Sequence, residues 1–119
     1  MPIDSIHSVY TVVRDMERSQ AFYAKALGLP ISFRDGNAWC QFAAGTTHFA
    51  LASSDEAASG ARGSVPVFRS HNLAYCRRSI EEAGGQVMEQ RDMGSHGSVL
   101  TCSDPDRNIF QILARITSP

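Results

Sequence analysis

Apolar positions along this chain switch from a period of two to a period of three to four, and they do so twice. Ser8 to Val13, SVYTVV, alternates as a strand, with Val9, Thr11 and Val13 on one face and Ser8, Tyr10 and Val12 on the other. Asp15 then stands as an N-cap, and Met16, Ser19, Tyr23, Ala26 and Leu27 recur at helical spacing until Gly28 stops the helix and Pro30 blocks its resumption. Ile31 to Arg34, Ala38 to Ala43 and Thr46 to Ala52 read as three strands, the first two joined by the hairpin signal Asp35-Gly36 and the last two at Gly45. The unit is βαβββ. Residues 53–64, SSDEAASGARGS, are small and polar without apolar periodicity, as an exposed connector would be.

The same pattern then restarts. Val65 to Arg69 is a strand, Asn72 an N-cap, and Leu73, Cys76, Ile80 and Ala83 form the buried stripe of a second helix ended by Gly84-Gly85. Strands are predicted over Gln86 to Gln90, Ser98 to Cys102 and Asn108 to Leu113. At a constant offset of 57 residues Asp15 matches Asn72, Met16 matches Leu73, Ala26 matches Ala83 and Gly28 matches Gly85. Cap, first apolar contact and helix stop thus coincide, which marks an internal duplication. The predicted class is α+β: two βαβββ modules forming a cupped mixed sheet. One domain spans 1–119, with module 1 at 6–52, the connector at 53–64 and module 2 at 65–115.

The final strand is introduced by the turn SDPDRN, in which Pro105 presets φ and Asp106, Arg107 and Asn108 are turn residues. Alternation puts Ile109, Gln111 and Leu113 on one face, so Gln111 is a lone amide on an apolar face. It calls either for a hydrogen-bond partner on a neighbouring strand or for a ligand. Each module covers one sheet face with its helix, and the free faces are expected to curl together into a cup. Alternation nominates Ser8, Tyr10, Trp39, Gln41, His48, Ala50, Val65, Val67, Ile109 and Gln111 for its interior, and His96 in the loop GSHG for its rim. So lined, the cup suits a small organic molecule with an apolar body.

Composition narrows the function classes. A formal net charge of −1 over 119 residues leaves no basic footprint for nucleic acid or an anionic membrane surface. No apolar run approaches the ~18 residues of a membrane-spanning helix, and MPIDSIHSVY lacks the regions of a signal peptide, so a cytoplasmic protein is expected. Cys40, Cys76 and Cys102 are odd in number with no C-x-x-C spacing, which indicates buried free thiols rather than disulfides or a zinc knuckle. Nucleophile elbows, phosphate-binding glycine loops and H-E-x-x-H are absent from the sequence.

VVRDMERSQAFYAKALGL at 12–29, the GG of EEAGGQV at 81–87 and SDPDRNIFQIL at 103–113 together resemble the vicinal oxygen chelate superfamily. That superfamily includes glyoxalase, extradiol dioxygenases, fosfomycin-resistance enzymes and bleomycin-resistance binding proteins. The resemblance implies its two-module fold. It also implies where a divalent metal would be held, on the first and last strands of each half: catalytic members typically use histidine or glutamine and glutamate there, and this chain has Ser8, Ala50, Val65 and, in place of the final-strand glutamate, Gln111. Arg107 stands where the family's turn commonly has glycine.

Of the histidines, His7 should point away from the cup, His71 is solvated, and His48 and His96 could hydrogen-bond or exchange a proton with a ligand. The leading expectation is a metal-free binding protein of the bleomycin-resistance type, without metal or other cofactor, that sequesters an apolar or aromatic ligand. A homodimer is expected, because sheet edges need covering and the family builds cups from paired modules. The alternative is an enzyme of this family, a lyase, isomerase or thiol-dependent transferase with an altered metal site or a histidine base. A third reading is a dimeric partner protein with no ligand.

Overall fold

The structure, a computed structural model, describes residues 6–59, 61 and 65–114. Connector residues 60 and 62–64 and the expected end of module 2 at 115 lie outside the described residues. The elements follow the order β1 (Ser8–Val12), α1 (Met16–Leu27), β2 (Ile31–Asp35), β3 (Trp39–Ala44), β4 (Thr47–Ala52), β5 (Val67–Arg69), α2 (Leu73–Glu82), β6 (Gln86–Asp92), β7 (Ser98–Ser103) and β8 (Ile109–Ala114). A short 3-10 turn, Gly94–His96, joins β6 to β7.

The caps form as the sequence implies. Asp15 accepts from the Arg18 amide at 3.1 Å and Asn72 from the Tyr75 amide at 3.0 Å, each satisfying a free donor of a first helical turn. Gly28 closes α1 in the left-handed conformation, φ 68°. In α2 the left-handed residue is Gly84, φ 98°, rather than Gly85. Gly85 meets a different demand, since a Cβ there would lie 2.7 Å from the Phe22 ring and 2.8 Å from the Ser103 carbonyl oxygen.

Two four-stranded mixed sheets result, in the orders β1-β4-β3-β2 and β5-β8-β7-β6. The duplication extends to register: parallel pairing sets Tyr10 opposite Ala50 in the first sheet and Val67 opposite Gln111 in the second. Even the irregularities correspond, with register shifts between Ile31 and Phe33 and between Val87 and Glu89.

Both helix-bearing sheet faces meet in one core. Cys40, Phe42, Phe49 and Leu51 from the first sheet and Leu100, Cys102, Phe110 and Ile112 from the second are all buried in it, with Met16, Phe22, Tyr23 and Ile80 from the helices. Tyr23 lies at the centre, its ring 5.1 Å from Phe49 and 5.8 Å from Phe110. The opposite faces of the two sheets lie outside this core.

The SDPDRN turn locks the modules together. Asp104, 3% exposed, accepts four hydrogen bonds, from the Asp106 and Asn108 amides at 2.8 Å each, from Asn108 Nδ2 at 2.9 Å and from Tyr23 Oη of α1 at 2.9 Å. Asn108 Nδ2 also donates to the Val12 carbonyl at 3.0 Å, and Asp106 accepts from Arg18 at 2.8 Å and from the Arg14 amide at 3.1 Å. Arg107 adopts the left-handed conformation at φ 68° that glycine would take there. Among the described residues no helix is long and apolar enough to cross a membrane.

Candidate functional site

The outward face of the first sheet is built from three cross-strand rows. Ser8, His48 and Ala43 form one, Tyr10, Ala50, Gln41 and Phe33 the next, and Val12, Ala52, Trp39 and Asp35 the third. Alternation accounts for the membership, since Cys40 and Phe42 on the same strand point into the core. Tyr10 and Trp39 flank the middle strand and lean toward each other, with ring centroids 5.4 Å apart in an edge-to-face arrangement. Beneath them Ala50 and Ala52 are fully buried although they belong to the outward face. Trp39 Nε1 donates to Gln41 Oε1 at 3.1 Å, and Tyr10 Oη accepts from the Ala58 amide of the connector at 2.8 Å. Tyr10, Trp39 and Gln41 remain half-buried, and Phe33 beside them is 55% exposed.

The second outward face is different. Val67, Gln111, Thr101 and Glu89 form its middle row. Gln111 Nε2 donates to Thr101 Oγ1 at 3.0 Å, so the N–H end of this lone amide meets its neighbouring strand while Oε1 accepts from none of the described residues. Val65 precedes β5 outside any strand at 44% exposure, Val67 is 56% exposed, and Ile109 lies opposite Ser103.

Strand pairing places the nominated residues in two sets, one on each sheet. Ser8, Tyr10, Trp39, Gln41, His48 and Ala50 share the first face, and Val67, Ile109 and Gln111 share the second. Each sheet turns its larger apolar side chains toward the helices and the other module, which leaves the nominated residues on the reverse faces. His96 is exposed in its turn at the end of the second sheet. His7 is exposed, its Nδ1 3.1 Å from Ser8 Oγ and its ring 6.0 Å from that of His48.

The four positions that the family resemblance assigns to a metal do not fit one. Ala50 and Val65 have no donor atom in their side chains, and Ser8 and Gln111 offer only neutral oxygens, with no imidazole or carboxylate among the four. No group of three or more His, Cys, Asp or Glu side chains that could hold a metal occurs among the described residues. Burial pushes the Cys40 thiol up and the Cys102 thiol up to about 11, so neither is poised as a nucleophile. Tyr23 is shifted furthest: burial, then the adjacent Asp104 carboxylate, hold its phenol far above the ordinary value.

Cavities of about 840 and 740 Å³ border the aromatic face without including Tyr10, Trp39 or Gln41: the first reaches His48 and also Val67 of the second sheet, the second reaches Val12. The first runs between the modules, past Phe49, Phe68 and Tyr75. The second borders Asp15, Asp55 and Asp106. Sequence reasoning missed the clamp made by Asp104 and Asp106; the clustering of Asp and Asn around Pro105 was its only signal.

Comparison with known proteins agrees with the geometry. The chain matches a model of the glyoxalase/bleomycin resistance protein/dioxygenase superfamily over residues 5–112. No curated protein matches it. Among solved structures, a glyoxalase-related enzyme from Fulvimarina pelagi is similar with a TM-score of 0.78 at 18% identity, covering 95% of this chain and 89% of that one. A superfamily member from Sphaerobacter thermophilus gives 0.77 at 22% identity, covering 97% and 100%. The fosfomycin resistance protein FosX from Listeria monocytogenes, in a mutant form complexed with Mn(II) and a dihydroxypropylphosphonic acid, gives 0.75 at 14% identity, covering 95% and 90%. With two βαβββ modules in matching register and a family match over nearly its whole length, this chain belongs to the glyoxalase/bleomycin resistance protein/dioxygenase superfamily.

Proposed function

We propose that this protein binds a small organic molecule with an aromatic or apolar body on the Tyr10–Trp39 face, without a metal ion. The observation that carries the reading is the half-buried edge-to-face pair itself, with Gln41 and exposed Phe33 beside it on an otherwise outward sheet face. Large aromatic side chains left partly open next to oriented polar groups are the usual lining of a ligand site. One chain supplies one wall. In this reading a second copy supplies the other, its Val67–Gln111 face closing over the aromatic pair of the first, so the working form is a homodimer with two equivalent cups. The three free cysteines, two of them buried, support a cytoplasmic protein.

Trp39 is the only tryptophan, so its fluorescence reports directly on the site. Titration with a panel of small aromatic compounds is expected to shift or quench it, and Trp39→Ala is expected to cost a bound aromatic ligand ~1–3 kcal/mol. A purely structural Trp39 would instead lower stability and leave affinity unchanged in the folded variant. The enzyme reading rests on a different observation, the approach of His7 to His48 at the rim of the same face. Turnover lost in His48→Gln with ligand affinity retained would favour it.

A further inference from the structure

Tyr10 and Gln41 are both half engaged, and the same half is engaged in each. The Tyr10 phenol oxygen accepts the Ala58 amide at 2.8 Å, while its own O–H donates to none of the described residues. An indole N–H can only donate, so the 3.1 Å contact from Trp39 Nε1 fixes the Gln41 amide with Oε1 toward the indole. Gln41 Nε2 is thereby turned away, and it donates to none of the described residues. Both polar groups beside the aromatic pair have thus used an acceptor and kept a donor.

Their placement lets one ligand reach them. Tyr10 and Gln41 occupy one cross-strand row on either side of Ala50, two strand spacings or roughly 10 Å apart at Cα. Ala50 between them is fully buried and contributes no polar atom. A planar ring resting on the aromatic pair would bring a substituent at its edge to one of these donors. The nearest carboxylate on these rows, Asp35, sits on the edge strand beyond Trp39.

Resting on the reading of Tyr10 and Trp39 as a ligand platform, we infer that the site selects an aromatic molecule that carries a hydrogen-bond acceptor oxygen, through Tyr10 Oη–H and Gln41 Nε2–H. A ligand edge bearing only donors finds just the remaining lone pairs of Tyr10 Oη and Gln41 Oε1, oxygens already shared with a protein N–H, and leaves the free O–H and N–H unmatched. A purely apolar edge leaves both protein donors unpaired.

The test uses two probes of one skeleton, acetophenone and α-methylstyrene, in which C=O is exchanged for C=CH2. Each is titrated into the unmodified protein while the Trp39 indole and Gln41 side-chain N–H signals are followed by ¹H–¹⁵N NMR. Acetophenone is expected to bind about three- to tenfold more tightly, the usual net effect of one hydrogen bond. Gln41→Met and Tyr10→Phe, each checked for a native spectrum, are expected to shrink that ratio. Equal affinities, or tighter binding of α-methylstyrene, would overturn the acceptor selection while leaving the aromatic site intact. No movement of the Trp39 signal with either probe would overturn the platform reading, and this inference with it.

Discussion

Replacing Tyr23 with Phe removes one oxygen from the middle of the core and changes almost nothing else. The ring contacts to Phe22, Phe42, Phe49 and Phe110 are retained, so no cavity opens. What is lost is a buried 2.9 Å hydrogen bond to the Asp104 carboxylate. Hydrogen bonds to charged groups contribute ~1.5–3 kcal/mol, and here the lower end applies because Asp104 keeps its three other donors. We expect Tyr23→Phe to lose about 1.5–2 kcal/mol at pH 7 in urea unfolding, equivalent to a Tm lower by roughly 6–8 °C.

The pH dependence sharpens the test. The folded phenol keeps its proton far above the pH at which the unfolded one releases it, so the folded state binds the proton more tightly and wild-type stability falls as pH rises past 10. Tyr23→Phe has no such proton. Its deficit relative to wild type should therefore narrow as pH rises past 10. A deficit below about 0.5 kcal/mol at pH 7, or one that stays constant through alkaline pH, would refute the assignment of this bond as a clamp between the modules.

Arg107→Gly should stabilise the protein by about 0.5–1 kcal/mol in thermal unfolding, because the residue sits at φ 68° and the relief of left-handed strain outweighs the added freedom of the unfolded chain. Gly85→Ala should destabilise by ~1–3 kcal/mol, since its Cβ would meet the Ser103 carbonyl oxygen at 2.8 Å and that atom is backbone. At pH 8 a thiol reagent should label Cys76 and spare Cys40 and Cys102 until urea is added. Cys102, with its thiol pushed up to about 11, should add to the stability lost as pH rises from 9 toward 11.

The secondary structure was legible because local signals agree with the fold. Asp15 and Asn72 both cap, Gly28 stops its helix, and the offset of 57 residues between caps survives as matched strand register. Periodicity also placed Tyr10, Trp39, Gln41 and Ala50 on one face, as the pairing requires. It could not say which way the modules turn. Alternation assigns side chains to the faces of a sheet, but how two sheets pack depends on long-range contacts such as Phe49 with Phe68 and Phe22 against Gly85. Alternation therefore sorted the cup candidates onto the two sheets and left open whether the modules that pair belong to one chain or two. Gln111 illustrates a second limit: the sequence marked it as unusual, but that Thr101 would meet its N–H end depends on strand pairing that no local signal carries.

Whether a second copy completes a metal-free aromatic cup is tested in one spectrum by native mass spectrometry of the gently purified protein. The account predicts a dimer whose mass excess, where present, corresponds to an organic molecule released on unfolding. A monomer at micromolar concentration, or a mass excess of one transition metal per chain, would contradict it.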